Sequence, residues 1–169
     1  MKKLIVMCGC PASGKSTWIK EELQKTHYTV TVVSRDFIRF SMLNANDEYF
    51  SKETKEFSRF CEDISNALAN KYIDIVIADA THLHRASRTK LLSNIKIPKD
   101  CIIEAVCLET PLEECIERNE GRTGLAKVPQ SALIDMYANY CRPSFNEGFD
   151  CIRVFSGNYK ILYTRSKKE

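Results

Sequence analysis

The segment Gly9-Cys10-Pro11-Ala12-Ser13-Gly14-Lys15-Ser16 constrains this chain more than any other, because it matches G-x-x-x-x-G-K-[ST] in full. It lies between an apolar run at residues 4–8, which reads as a buried strand, and a helical stretch at 15–24. Two glycines let the backbone wrap closely around an anion, with successive N–H groups pointing inward. The following helix adds its N-terminus and the positive end of its dipole. In that geometry Lys15 reaches the β- and γ-phosphates, and the Ser16 hydroxyl can ligate Mg²⁺. The expected ATP-binding set is residues 9–16 together with Thr17, Arg118 and Arg122.

The rest of the chain repeats the strand–helix alternation. Strands are predicted at 28–33, 73–78, 101–108 and 151–155, with a short sixth at 159–164. Helices are predicted at 36–43, 51–70, 85–95, from Pro111 to about Gly121, and from Pro129 onward. The helix at 51–70 carries Phe57, Cys61, Ile64 and Leu68 as its apolar stripe. Leu112, Cys115, Ile116 and Asn119 share one face of the helix after Pro111, and the loop at 120–128 reads as mobile. Such alternation implies a three-layer α/β fold: a parallel, doubly wound sheet covered on both faces, with a helical lid at about 118–128. At 169 residues the chain reads as one domain, residues 1–169, with a frayed basic tail at about 165–169.

Composition narrows the function classes. Apolar residues are 44% and charged residues 28% of the chain, which excludes global disorder. The net charge of +3 suits a phosphate-rich partner but falls short of a protein that coats nucleic acid. No apolar run is long enough to span a bilayer, so no membrane association is expected, and no protein partner is predicted. The eight cysteines form no C-x-x-C pair and mostly lie in apolar stretches, as in CIIEAVC. They read as reduced, buried thiols, which points to the cytoplasm.

In a doubly wound sheet the crevice lies beyond the C-terminal strand ends. After the second strand comes Ser34-Arg35-Asp36-Phe37-Ile38-Arg39, and after the third Asp79-Ala80-Thr81-His82. Asp36 is the candidate general base, with capping of the helix beginning at Phe37 as a compatible second role. Arg39, three residues on, shares its helical face and could grip an acceptor phosphate. Asp79 is expected to back Mg²⁺ through water, and Thr81 and His82 to be polar acceptor contacts at the same rim. A bland surface histidine is the alternative for His82. Arg118 and Arg122 straddle the end of a helix and a glycine-bearing loop, which suits a lid closing over the transferring group. Arg122 joins Lys15 and Asp36 as catalytic candidates.

These residues together resemble the kinase domain of bacteriophage polynucleotide 5′-hydroxyl kinase. MKKLIVMCGCPASGKSTW is similar to that family's first strand and P-loop, and SRDFIR to its R-D-x-x-R segment. NDEYFSKETKEF resembles its D-E-Y helix entry, and ERNEGR with KVPQSALIDMY its lid and the helix that follows. The resemblance spans residues 1 to about 140 and implies that Asp36 is the base, Arg39 the acceptor clamp and Arg122 the lid arginine. It departs from the family where Ala80 holds the place of the acid before the threonine, with Asp79 one position earlier. It also lacks the phosphatase domain that follows the phage kinase, so a kinase-only activity is expected. The implied reaction moves the γ-phosphate of ATP, with Mg²⁺, to the 5′-hydroxyl of RNA or DNA. The alternatives are a small-molecule kinase, like the zeta toxins that act on nucleotide-sugars, and a nucleotide-dependent binding switch.

Overall fold

Strand β1 (Lys3–Cys8) is the centre of the molecule, flanked by β3 (Ile75–Asp79) on one side and β4 (Ile102–Glu109) on the other. The sheet has six strands in the order β2-β3-β1-β4-β5-β6, where β2 is Val30–Ser34, β5 Cys151–Ser156 and β6 Ile161–Ser166. The chain leaves β1 toward β3 and β2 on one side and returns to β4 and β5 on the other. This makes the C-terminal end of β1 a topological switch point. The computed structural model describes residues 1–44, 46–48 and 51–167.

Successive residues of β1 point to opposite layers, and both layers are covered. Leu4, Val6 and Cys8 pack with Phe60, Ile64 and Leu68 of α3 (Glu53–Ala69) and Leu91 of α4 (Arg85–Asn94). Ile5 and Met7 face the other way, onto Trp18 and Ile19 of α1 (Lys15–Lys25). This double burial explains why β1 reads as a continuous apolar run rather than an alternating one. A third, smaller cluster joins Cys10 and Leu83 to Cys115 of α5 (Leu112–Glu120) and Leu133 of α6 (Gln130–Ala138). None of the eight cysteines is joined in a disulfide; six are buried, with Cys141 exposed and Cys151 intermediate. Among the described residues no helix is long and apolar enough to cross a membrane.

The three-layer α/β architecture is as expected, with four corrections. The sheet is not wholly parallel: β6 runs antiparallel to β5. Only residues 157–160 connect them, and a parallel return needs a crossover of roughly a dozen residues or more. The same strand absorbs part of the expected basic tail, since Arg165 pairs in register with Ile152. The buried stripe of α3 is rotated from the expected one: Glu56 and Phe60 are fully buried, while Phe57 is only half-buried. Finally, α2 (Arg35–Met42) is capped by Ser34, whose Oγ accepts from the Phe37 N–H, so Asp36 sits inside the first turn and is not the cap. Within the expected D-E-Y helix entry, Tyr49 and Phe50 lie outside the described residues.

Candidate active site

The loop between β1 and α1 closes tightly on itself. Gly9 has φ +148° and Gly14 φ +101°, a conformation that side-chain-bearing residues rarely adopt. A Cβ on Gly9 would lie 2.7 Å from Ser13 Oγ, and one on Gly14 would lie 2.7 Å from the Tyr159 hydroxyl. No side chain caps α1 and its first turn holds no acid, so its N-terminal N–H groups are left for an anion. Lys15 Nζ folds back onto the loop, donating to the carbonyls of Gly9 (2.9 Å) and Cys10 (2.8 Å). Pro11, Ala12 and Ser13 are buried, whereas Ser16 and Thr17 are exposed. Cys10 is buried against Cys115 and Leu133, and burial pushes its thiol up to about 11. Among the described residues, Ser13 Oγ is the buried side-chain polar atom without a hydrogen-bond partner.

A cleft of about 250 Å³ opens over this cradle, lined by Lys15, Ser16, Thr17, Arg118, Arg122 and Tyr159 among others. The two lid arginines therefore face the phosphate loop. Arg118 Nη2 donates to Glu114 (2.9 Å) and to the Gly157 carbonyl (3.2 Å), and Arg122 Nη1 to the Ala126 carbonyl (3.3 Å). The lid loop has a short 3₁₀ turn, Gly124–Ala126, and is fastened at its base. Buried Asn119 donates to the Val128 carbonyl (2.7 Å) and accepts from the Val128 N–H (3.0 Å). The expected apolar face of α5 is thus completed by an amide. Tyr159 is a cleft residue that the sequence did not reveal. It sits at φ +62° in the β5–β6 turn, its hydroxyl donating to the Gly14 carbonyl (3.3 Å).

Carboxylates converge from β2 and β3. Ser34 and Asp79 are register partners at the strand ends, and Asp36 follows in the first turn of α2. Burial lowers the pKa of Lys15, and the nearby Asp79 and Asp36 charges pull it back up. Burial likewise raises that of Asp79, with Lys15 opposing. Ala80 packs against the core, so the acid at this rim is Asp79. Ser16 and Asp79 are one hydroxyl and one carboxylate, the sparse set Mg²⁺ takes when phosphates and waters supply the remaining ligands. With the glycine cradle and the partnerless Ser13 Oγ, these residues fit a Mg²⁺–triphosphate.

Arg39 is nearly buried, at 8% exposed, and is held from two sides. Its Nη1 donates to Asp36 Oδ1 at 3.3 Å, and its Nε to Glu56 Oε2 at 2.8 Å. The other Glu56 oxygen accepts from Arg35 Nε at 2.5 Å. Glu56 is the second functional residue that sequence reasoning missed. The signal was a charged residue on the core face of α3, at i−4 from Phe60.

Thr81 and His82 divide. The Thr81 carbonyl accepts from the Gly9 N–H at 2.9 Å, so this loop braces the cradle. His82 is neither a surface histidine nor an acceptor contact: it is 5% exposed at φ +40°, with Nδ1 2.8 Å from the Met7 carbonyl. Burial pushes its pKa down to about 4. Its own carbonyl accepts from Arg88, which a buried Glu147 holds through both oxygens.

A family model described as an AAA domain, AAA_33, matches residues 4–143. The chain is 27% identical over 154 residues to the L-seryl-tRNA(Sec) kinase of Methanococcus maripaludis, a match covering 87% of this chain and 56% of that protein. It thus spans little more than half the length of that curated relative. Among solved structures it is similar to a chain of the Pnkp1/Rnl/Hen1 RNA repair complex, with TM-score 0.67, 23% identity, and coverage of 82% of this chain and 43% of that one. An unliganded sugar kinase from Janibacter sp. HTCC2649 matches with TM-score 0.61 and 19% identity, over 95% of this chain and 87% of that one.

Proposed function

The chain belongs to the AAA domain family AAA_33, a family of P-loop kinases, and from that premise we propose that it transfers the γ-phosphate of ATP to the 5′-hydroxyl of RNA or DNA. The observation that carries the reading is the pair at the start of α2. A solvent-facing carboxylate, Asp36, lies directly beside an arginine that a buried Glu56 holds in place. A phosphotransferase for an alcohol needs a proton acceptor at the attacking oxygen, and a 5′-hydroxyl end carries a phosphate close to that oxygen.

In this mechanism Arg39 grips the acceptor's first phosphate and so fixes the 5′-hydroxyl against Asp36. Asp36 takes the hydroxyl proton as the oxygen forms its bond to the γ-phosphorus. The bond from the γ-phosphorus to the β–γ bridging oxygen breaks, and ADP leaves. Lys15 turns from the Gly9 and Cys10 carbonyls to the β- and γ-phosphates, and Arg122 and Arg118 face the transferring group from the lid side. Ser16, and Asp79 through water, would hold Mg²⁺, which would supply charge neutralisation during the transfer. Thr81 braces the cradle through its backbone and lies at the acceptor rim. Eight cysteines with no disulfide among them suit a reducing compartment such as the cytoplasm.

A second reading, a hydroxyl carried on a charged tRNA, is favoured by the likeness to the seryl-tRNA kinase. One experiment separates these readings: γ-labelled ATP offered with 5′-hydroxyl oligoribonucleotides and oligodeoxynucleotides, nucleoside 3′-phosphates, seryl-tRNA and UDP-sugars. Label on the oligonucleotides is the expected outcome. Label confined to seryl-tRNA or to a sugar overturns the 5′-hydroxyl assignment.

A further inference from the structure

The cationic surface does not stop at Arg39. Glu56 uses both oxygens on two arginines, so Arg35 and Arg39 are set one carboxylate's width apart, with Asp36 between them in sequence. The Arg35 guanidinium lies 5.6 Å from the centre of the Phe57 ring, and Lys90 Nζ lies 4.6 Å from the same centre. Side chains from α2, α3 and α4 are thus linked in the order Arg39–Glu56–Arg35–Phe57–Lys90. Glu56 is buried and meets both arginines, while Lys90 is exposed. Arg35 also donates to the exposed Glu53 at 3.2 Å, so it reaches an incoming phosphate by exchanging that outer carboxylate.

Lys90 forms no ion pair among the described residues, and α4 bears Arg85, Arg88 and Lys90 with no acid at all. Arg88 is neutralised internally by Glu147, which leaves Arg85 and Lys90 as the outward charges of that helix. The aromatic ring shared by Arg35 and Lys90 also holds their heads in place but, unlike the Glu56 carboxylate, carries no charge to cancel theirs.

The geometry points to a second acceptor subsite at Arg35, Phe57 and Lys90, which takes the phosphodiester 3′ to the one gripped by Arg39. This rests on the 5′-hydroxyl reading and deepens it, because it commits the acceptor to a polynucleotide. A nucleoside 3′-phosphate has one phosphate and reaches Arg39 alone. A chain has a succession of them, and Arg35 and Lys90 are the further cations that would meet the next one.

The test compares wild type with Lys90→Gln, an exposed change, and with Phe57→Leu, using two acceptors: a nucleoside 3′-phosphate and a 5′-hydroxyl trinucleotide bearing a 3′-phosphate. Each is measured across a salt series. Lys90→Gln should raise the trinucleotide KM by roughly fivefold to tenfold, the scale of one charge-assisted contact. It should also flatten the slope of log(kcat/KM) against log[salt] by about 0.7, one single-strand phosphate contact. Phe57→Leu should act in the same direction, because it frees the cations it holds. The nucleoside 3′-phosphate and ATP constants should not move. If wild type uses both acceptors and Lys90→Gln treats them alike, the subsite is wrong and the 5′-hydroxyl reading stands. If wild type phosphorylates neither, that reading fails and takes the subsite with it.

Discussion

The two halves of the candidate site are built in opposite ways. The phosphate cradle is one unbroken string, residues 9–17, and works through backbone groups: N–H donors, two glycines at positive φ, and an uncapped helix start. The acceptor side is made of side chains brought together from far apart, with Glu56 lying 17 residues from Arg39 and 21 from Arg35. The cradle holds an uncomfortable charge, since burial disfavours the Lys15 ammonium. The acceptor side holds a satisfied one, since both Glu56 oxygens are bonded. A site that strains toward its ligand should lose function without losing stability when its charge is removed. A site that is part of the core's electrostatics should lose both.

The largest expected effect is at Lys15. Lys15→Met should abolish transfer, because no other side chain of the loop reaches the β/γ bridge as a cation. Thermal stability should stay level or rise, because partial burial disfavours the charge that is removed. Parallel activity and melting measurements check this, and a well-folded variant that keeps more than about a tenth of wild-type activity breaks the cradle assignment.

Asp36→Asn comes next, with kcat lower by about 10²–10⁴, the usual cost of losing a general base. Asp79→Asn should instead raise the Mg²⁺ concentration needed for half-maximal rate. A Mg²⁺ titration of both variants at saturating acceptor sharpens the division. Rescue of Asp36→Asn by excess Mg²⁺, with none for Asp79→Asn, would mean the two roles are exchanged.

Glu56→Leu tests the stability half of the contrast. Removing one partner of a buried ionic cluster costs about 3–5 kcal/mol, so this variant should unfold at markedly lower urea while Lys15→Met does not. A smaller effect belongs to His82. Its pKa is about 4 in the fold and near 6.5 when unfolded, so between those values the unfolded chain binds more protons. Stability should therefore fall as pH drops through that window, by up to about 3 kcal/mol. Urea melts at pH 7 and pH 4.5 should show the loss, and His82→Asn should flatten it.

The same contrast explains what the sequence could tell. The cradle was legible because a backbone-built site requires contiguous residues of special conformation, and Gly9 and Gly14 announce it. The order of strands and helices was legible because both faces of β1 are apolar. Glu56 was hidden because a lone acid in a helix reads as solvent-facing until Phe60, rather than Phe57, is known to be the buried residue beside it. The reversal of β6 rests on the shortness of residues 157–160, and Tyr159 reaches the cradle only through that turn. His82 could not be placed from its neighbours in sequence, because its partner, Met7, lies 75 residues away.

The most direct test of the account is Glu56→Gln, assayed for Mg²⁺–ATP affinity by calorimetry and for acceptor KM with a 5′-hydroxyl oligonucleotide. Glutamine keeps the shape of the side chain but removes the charge that positions Arg39 and Arg35. The account predicts an acceptor KM raised about tenfold or more, from the loss of a charge-assisted contact, with ATP affinity in the absence of acceptor close to wild type. A fall in ATP affinity matching the rise in acceptor KM would contradict it, because the two halves would then not be separately built.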